Sequence, residues 1–226
     1  MNEDVSRVVL VTGAAGALGS ALVRRLVTEG ADCIALDRDR RGLEKLHDGL
    51  AAEGRAPLVV PLDLAGAGPD HYVELAESLH GEFGHVDAVI HAAAEFKGLR
   101  TIENLPPDEW MQELQAGVTG PMLLTRALLP LLRRAPDGRV VFVIDDPEAR
   151  AAAYWAGYGV AQSAVRALAA MLAAECRAHG PSVTTVDPGK FYSALRSRVW
   201  PAENPGELPT AEAAAETVLA ELDRRH

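Results

Sequence analysis

The amino-acid sequence predicts an α/β fold of three layers, in which helices cover both faces of a doubly wound parallel sheet. Short β-branched apolar segments alternate with longer helical patterns, and this alternation is typical of a parallel sheet. The strand segments are apolar along their whole length, which indicates burial on both faces. With 226 residues and a hydrophobic content of 48%, the chain can bury one substantial core, so we expect one domain over residues 1–226.

Six segments have the composition of strands, and a helical pattern follows each of them. The strand segments are RVVLVT (7–12), CIALD (33–37), LVVPLD (58–63), VDAVIH (86–91), RVVFVI (139–144) and SVTTVD (182–187). Helices are predicted at about 17–29, 39–53, 69–83, 107–134, 155–179 and 210–225, the fourth broken between Gly117 and Pro121. Right-handed crossovers between six parallel strands give the order 3-2-1-4-5-6.

The segment 189–209 has no clear periodicity but contains Phe191, Tyr192 and Trp200. In a doubly wound sheet the ligand binds beyond the carboxyl ends of the strands. We therefore expect this segment to form a lid over that crevice, although a loop with apolar anchors packed on the core fits the same residues. Its basic residues, which could receive a phosphate of a cofactor or an anionic substrate or form a solvated face, are Lys190, Arg196 and Arg198.

Composition and charge limit the partners of the chain. The formal net charge of -10 and the pI near 5.2 argue against nucleic acid, because a binder needs lysine and arginine to displace phosphate counterions. The first residues, MNEDVSR, lack the apolar core of a signal peptide, and no stretch approaches the roughly 18 apolar residues of a membrane span. Cys33 and Cys176 have no metal or disulfide spacing, which suggests buried thiols in a reducing compartment. We expect a cytoplasmic protein that binds a small soluble molecule.

A glycine-rich stretch, VTGAAGALG, joins the first strand to the first helix through Gly13, Gly16 and Gly19. Glycine lets the backbone approach a pyrophosphate, whose charge is stabilised by the amides at the start of the following helix. With Asp37 at the end of the second strand, the pattern matches that of dinucleotide-binding folds. A glycine turn kept only to pack helix onto strand is the alternative.

Asp37 and Arg38 bear on the choice of cofactor. The Asp37 carboxylate can accept both ribose hydroxyls of NAD and would repel the 2′-phosphate of NADP. The adjacent guanidinium of Arg38, in contrast, suits that phosphate. We predict that NAD is preferred over NADP.

With these features, the sequence resembles the short-chain dehydrogenase/reductase family over about residues 7–200. The resemblance rests on TGAAGALG (12–19), Asp63-Leu64 after the third strand, DAVIHAAA (87–94), Tyr158 and DPG (187–189). It implies a Rossmann-like fold and hydride transfer between a nicotinamide ring and a carbonyl or alcohol carbon. It also implies a set of cofactor-binding residues: Gly13, Ala15, Gly16, Leu18, Gly19, Asp37, Arg38, Asp63, Leu64, Ala92, Ala93, Gln162, Pro188 and Gly189.

The Asn-Ser-Tyr-Lys tetrad of the family is only partly matched. The tyrosine is Tyr158, but Gly117 stands at the asparagine position, Asp145 at the serine position and Gln162 at the lysine position. A positive charge about 4 Å from a tyrosine favours tyrosinate by roughly 4 kcal/mol at an effective dielectric constant near 20. Without it we expect Tyr158 to stay protonated, with a pKa near about 10, and standard activity to be weak or absent. An ionised Asp145 cannot donate to a substrate oxygen, whereas the Gln162 amide could still bond the nicotinamide ribose.

Three other residues could replace the missing groups. Lys190 could supply a cation and His91 an acid or base, although a lysine in solvent and a histidine bonded to the backbone fit as well. Tyr154, one turn before Tyr158, could supply a second phenol, although a packing role fits it as well. No metal site is expected of His91 with Asp145 and Asp146, because neighbouring strand residues face opposite ways.

Two functions remain open on the sequence alone. One is an NAD(P)-dependent oxidoreductase with weak or altered chemistry at Tyr158, acting on an unknown small molecule. The other is a non-catalytic dinucleotide sensor, or a silent subunit of a homo- or hetero-oligomer. The resemblance implies a dimer face formed by the helices near 119–134 and 155–179, and we expect a homodimer. The usual C-terminal seventh strand of the family has no counterpart in the sequence, so we expect an open edge of the sheet.

Overall fold

The six strands in the described part of the chain form one parallel sheet in the order β3-β2-β1-β4-β5-β6, as predicted. The computed structural model describes residues 6–224. The strands are β1 (Val8–Thr12), β2 (Asp32–Asp37), β3 (Leu58–Pro61), β4 (Ala88–His91), β5 (Arg139–Val143) and β6 (Ser182–Val186). Within residues 6–224, β3 and β6 form the two edges of the sheet.

The helices alternate with the strands and cover both faces of the sheet. They are α1 (Ala17–Thr28), α2 (Arg40–Ala51), α3 (Pro69–Phe83), α4 (Pro107–Leu114), α5 (Gly120–Leu132), α6 (Pro147–Arg150), α7 (Ala156–Cys176), α8 (Ala194–Val199) and α9 (Ala211–Leu222). Ile102–Asn104 and Pro205–Glu207 form 3₁₀ turns, and Gln115–Thr119 forms a π-helical segment between α4 and α5.

Alternate residues of the central strand face opposite sides of the sheet. Val9 and Val11 of β1 belong to a core formed with α1, α2 and α9, whereas Leu10 belongs to a core formed with α3, α5 and α7. All three are fully buried. Burying a side chain of this size stabilises the fold by about 1.5–3 kcal/mol. Because both faces are covered at the centre of the sheet, β1 is buried at every position, whereas the edge strands β3 and β6 are only partly buried.

The predicted break between Gly117 and Pro121 is a change of helix type and not an interruption. The chain stays helical from α4 through the π-helical segment into α5, and Pro121 lies in the first turn of α5. A proline has no amide to donate, which the first turn of a helix tolerates. A π-helical segment also shifts the hydrogen-bond register without ending the helix.

Smaller differences concern short or terminal elements. The sequence pattern does not predict α6 and α8, because helices of four and six residues are too short to show a periodicity. β3 ends at Pro61, α7 at Cys176 and α9 at Leu222, each before its predicted end. Residue 225 of the predicted last helix lies outside the described residues. None of the helices in residues 6–224 has the length and apolarity needed to cross a membrane.

Candidate functional site

A cleft of about 650 Å³ opens at the carboxyl ends of the strands. It is lined by the residues that follow β1, β2, β3, β4, β5 and β6, with α8 along one side. It brings together all of the predicted site residues except Gly117: Gly13, Ala15, Gly16, Leu18, Gly19, Asp37, Arg38, Asp63, Leu64, Ala92, Ala93, Asp145, Tyr158, Gln162, Pro188 and Gly189.

The turn between β1 and α1 is packed too closely for side chains. Gly13 has a φ of +70°, and a Cβ there would lie 2.8 Å from the backbone of Ala93. A Cβ on Gly19 would overlap the carbonyl oxygen of Gly13. Thr12 Oγ1 accepts hydrogen bonds from the amides of Ala92 and Ala93, at 3.1 and 3.2 Å, which ties the loop after β4 to this turn. The start of α1 borders the cleft, and its amides and positive dipole end suit a pyrophosphate.

Backbone amides hold the Asp37 carboxylate at the end of β2. Oδ2 accepts a hydrogen bond from the amide of Ala15 at 3.0 Å, and Oδ1 accepts one from the amide of Asp39 at 2.9 Å. These bonds fix the carboxylate against the glycine turn and offset part of its charge. The neighbouring guanidinium of Arg38 can therefore determine whether the cleft prefers the ribose of NAD or the 2′-phosphorylated ribose of NADP.

An ion pair spans the cleft from the end of β2 to the loop after β4. Arg38 Nη1 lies 2.5 Å from Glu95 Oε2, and Lys97 Nζ lies 2.9 Å from Glu95 Oε1. The side chain of Glu95 is only 7% exposed, whereas that of Arg38 is 53% exposed. Glu95 is not among the site residues predicted from the sequence. The sequence feature that could have identified Glu95 is its position directly after the three alanines that follow β4.

The Tyr158 hydroxyl is buried and donates to a carboxylate. It lies 3.2 Å from Asp145 Oδ2, and the same oxygen accepts a hydrogen bond from Arg150 Nε at 2.6 Å. The tyrosine is 4% exposed and packs against the rings of Phe96 and Trp155. Burial, followed by the charge of Asp145 and its hydrogen bond to the hydroxyl, raises the pKa of Tyr158 above its ordinary value. The charge of Arg150 opposes this rise with a smaller effect.

Arg150 is a cation of the site that is not predicted from the sequence. Its guanidinium lies 4.4 Å from the centroid of the Trp155 ring and 5.5 Å from that of Trp200. It forms an ion pair with Asp145 and offsets only part of the effect of that carboxylate on the tyrosine. Arg150 lies in α6, which is too short to be predicted. The only indication of its role in the sequence is its spacing of five residues from Asp145.

Gln162 and Gly117, at two of the predicted tetrad positions, are both packed against neighbouring elements. Gln162 Oε1 accepts a hydrogen bond from the amide of Asp145 at 2.9 Å, so this oxygen caps the end of β5 and is not free for a ribose. Gly117 lies in the π-helical segment against α7, where a Cβ would be 2.9 Å from the Cβ of Ala161. An asparagine side chain would need that space.

His91 does not have the properties of an acid or base of the site. It is 4% exposed, its Nε2 lies 2.7 Å from Thr125 Oγ1, and its ring stacks on Phe142. Burial lowers the pKa of His91 to about 3, so the ring is neutral at neutral pH. Its partner is a side-chain hydroxyl rather than the backbone. Within residues 6–224, no group of three or more His, Cys, Asp or Glu side chains is placed to hold a metal ion.

The basic residues of segment 189–209 are not three free cations. Arg196 forms two hydrogen bonds with Glu203, at 2.6 and 2.7 Å, and lies over the ring of Trp200. Arg198 Nη1 donates to the carbonyl oxygen of Phe96 at 3.2 Å. Lys190 lines the cleft together with Trp200.

The sheet order, the glycine turn and the cleft define the architecture of a Rossmann-type nucleotide-binding protein. The short chain dehydrogenase family profile matches residues 7–204. The chain therefore belongs to the short chain dehydrogenase family.

Individual proteins of that family are similar along most of their length. The uncharacterized oxidoreductase YciK of Escherichia coli (strain K12) is 28% identical over 205 residues, which are 90% of this chain and 81% of YciK. A short chain dehydrogenase of Shigella flexneri 2a, solved in complex with NADP, is 28% identical with a TM-score of 0.87 and covers 93% of this chain and 89% of its own. One from Escherichia coli CFT073, in complex with NADPH, has the same identity, TM-score and coverage.

The prediction that NAD is preferred over NADP is wrong, because both of these similar structures hold the phosphorylated dinucleotide. In this chain the physical reason lies at the end of β2. The oxygens of Asp37 already accept two backbone amides, which reduces the repulsion that a 2′-phosphate would meet. Arg38 stands next to it with an exposed guanidinium.

Proposed function

We propose that this chain binds NADP(H) and that its hydride-transfer activity is weak or absent, because Tyr158 is held protonated. When bound, NADP(H) carries hydride on its nicotinamide ring. The glycine turn and the start of α1 would hold the pyrophosphate, and Arg38 would hold the 2′-phosphate. The two similar proteins that hold NADP and NADPH support this choice of cofactor.

The observation that carries the proposal is the hydrogen bond of 3.2 Å from the Tyr158 hydroxyl to Asp145 Oδ2. Reducing a carbonyl needs a group that donates a proton to the developing alkoxide, and oxidising an alcohol needs a group that accepts one. A hydroxyl that already points its proton at a carboxylate, with a raised pKa, performs neither step efficiently. Ionising Tyr158 would also place a second negative charge beside Asp145.

Arg150 does not replace the missing lysine. Its Nε lies 2.6 Å from the oxygen that accepts the tyrosine hydrogen bond, and its charge lowers the pKa of Tyr158 less than Asp145 raises it. A lysine at position 162 would lie four residues after Tyr158 on the same face of α7. Its ammonium would act on the hydroxyl directly.

The second candidate is a non-catalytic sensor of NADP(H), or a silent subunit of an oligomer. The burial of the hydroxyl favours it, because Phe96 and Trp155 cover the tyrosine ring and leave it 4% exposed. The dinucleotide would then bind without any turnover of a carbonyl or alcohol.

The test combines binding and turnover. NADPH and NADH are titrated into the protein by fluorescence, and a panel of aldehydes and ketones is assayed with each. We expect NADPH to bind and turnover to stay near background. Asp145→Ser with Gln162→Lys restores a hydroxyl and a cation, and we expect turnover to rise at least about a hundredfold. Asp145→Ser with Ser163→Lys is the matched control. Position 163 is exposed, so a lysine there would extend into solvent and away from Tyr158.

The results bear on the two candidates in different ways. Rapid wild-type turnover contradicts a protonated, inefficient Tyr158. Binding of NADPH with no turnover, even in the Asp145→Ser, Gln162→Lys variant, supports the sensor or silent subunit. Binding of neither dinucleotide overturns the cofactor assignment.

Segment 189–209 and the rest of the chain are proposed to act as one domain with a lid. Phe191 and Trp200 line the cleft, and the backbone amide of Tyr192 is held by the carbonyl oxygen of Pro209 at 3.0 Å. These contacts support a segment that closes one side of the cleft.

A further inference from the structure

Glu95 is a buried carboxylate that lies outside the glycine turn and the tyrosine site. Each of its oxygens holds one cation, Oε2 the guanidinium of Arg38 at 2.5 Å and Oε1 the ammonium of Lys97 at 2.9 Å. Arg38 follows β2 and Glu95 follows β4, and these strands flank β1 in the sheet. The ion pair therefore crosses the cleft beside the glycine turn that follows β1.

We propose that Glu95 competes internally for Arg38 and so determines how tightly the chain binds dinucleotides that carry a 2′-phosphate. Lys97 is the second ion-pair partner of Glu95 and keeps this carboxylate paired when Arg38 moves to a phosphate. The proposal rests on the proposed function, because it requires NADP(H) to be the ligand.

The competition follows from the chemistry of the two anions. A guanidinium has five N–H donors in a planar fork, and it binds a phosphate or a carboxylate through the same pairs of donors. A phosphate monoester offers three acceptor oxygens and nearly two charges, so it displaces a single carboxylate from an arginine. The 2′-hydroxyl of NAD(H) carries no charge and leaves the ion pair in place.

Lys97 makes the displacement feasible. A carboxylate that is 7% exposed would be costly to leave without a partner, and Lys97 Nζ still neutralises Glu95 after Arg38 has left. Arg38 is 53% exposed, so its side chain can turn to a ligand without unpacking the core. Opening the pair nevertheless subtracts from the affinity for NADPH and not from that for NADH.

Glu95→Gln tests this directly, because it keeps the shape of the side chain and removes its charge. We expect the Kd for NADPH to fall about three- to tenfold and the Kd for NADH to change less than twofold. Lys97→Met should have the opposite effect on NADPH, since Glu95 then depends on Arg38 alone. Glu103→Gln is the matched control, because Glu103 is exposed and has no ion-pair partner among residues 6–224.

A double-mutant cycle shows whether the effect passes through Arg38. In an Arg38→Gln background, Glu95→Gln should leave the Kd for NADPH within about twofold. Thermal unfolding of each variant verifies that it is folded. Fluorescence titrations with NADPH and NADH give the Kd values.

The outcomes distinguish this proposal from the proposed function. If neither wild type nor Glu95→Gln binds NADPH, the proposed function itself fails. If wild type binds NADPH and Glu95→Gln binds it no more tightly, only the role of Glu95 is overturned. The role of Glu95 is also overturned if Glu95→Gln lowers the Kd for NADPH and for NADH equally, or if it lowers the Kd for NADPH in the Arg38→Gln background. In either case Glu95 would act through the electrostatic effect of its charge and not through Arg38.

Discussion

Asp145 organises the residues around the tyrosine. Its Oδ2 accepts hydrogen bonds from Tyr158 and Arg150, and its amide donates to Gln162 Oε1. The residues at positions 145 and 162 are therefore coupled, because a lysine at 162 could not accept the bond from that amide. We therefore expect substitutions at the two positions to have non-additive effects on Tyr158.

Part of this arrangement could be predicted from the sequence. Residue 145 follows a strand, and residues 158 and 162 share one face of a helix, so their meeting in the cleft follows from the fold. The pairing of Arg150 with Asp145 could not be predicted, because it depends on a helix of four residues. The same holds for the bond between Gln162 and the Asp145 amide, which depends on side-chain rotamers.

Buried His91 should make stability depend on pH. Its pKa is lowered from the ordinary 6.5 to about 3, so below pH 6.5 the unfolded chain binds a proton that the folded chain does not. This contribution to stability is present above about pH 6.5 and is lost as the pH falls towards 3. Between pH 7 and pH 5, we expect the free energy of unfolding of His91→Asn to fall by about 2 kcal/mol less than that of wild type.

Urea unfolding at several pH values measures this difference. His179→Asn, which removes an exposed histidine, is the control and should follow the wild-type curve. Parallel pH dependence of wild type and His91→Asn would show that His91 is not buried in its neutral form.

Among the elements, the π-helical segment Gln115–Thr119 is where the structure departs most from the predicted helix. Its contact with α7 explains the glycine at position 117, since a Cβ there would lie 2.9 Å from that of Ala161. Periodicity predicts the long elements because their buried faces repeat. It cannot predict a local change of helix type, which depends on packing against a neighbouring helix.

Gly117→Ala should destabilise the fold by about 1–3 kcal/mol, because it overpacks this contact. Gly81→Ala is the matched control in α3, where a Cβ would have no neighbour within 4 Å among the described residues. The control should be neutral or stabilising by up to about 1 kcal/mol. Urea unfolding compares the two variants, and equal effects would contradict a tight contact between the π-helical segment and α7.

A second feature that sequence patterns do not reveal lies just before α7. Tyr154 and Ala156 have φ values of 76° and 40°, although neither is glycine. They flank Trp155, whose ring covers Tyr158 and lies beside Arg150. The strained turn thus places the Trp155 ring against the ring of Tyr158. Such a backbone is set by tertiary contacts rather than by local propensity.

For the whole molecule, the sheet order and the covering of both sheet faces by helices could be predicted, because apolar strands and right-handed crossovers leave few alternatives. The preferred cofactor could not. It depends on how Asp37 and Arg38 are bonded, and the sequence shows only that they are adjacent.

The homodimer remains a prediction at this scale. Val160 and Met171 of α7 are 46% and 58% exposed, which leaves apolar surface for a second copy of the chain. We expect Met171→Lys to weaken the dimer at least tenfold, because it would bury an unpaired charge. Val73→Lys, at a similarly exposed apolar residue of α3, is the control. Light scattering over a range of concentrations gives the mass, and a monomeric wild type would contradict the prediction.

The most direct test of a protonated Tyr158 is its own titration. The difference in ultraviolet absorbance between wild type and Tyr158→Phe, recorded as the pH is raised, isolates this hydroxyl from the other tyrosines. We predict no tyrosinate from Tyr158 below about pH 10, and a step at lower pH once Asp145→Ser and Gln162→Lys are introduced. Ionisation of the wild-type hydroxyl near neutral pH would contradict the proposal that its proton is held by Asp145.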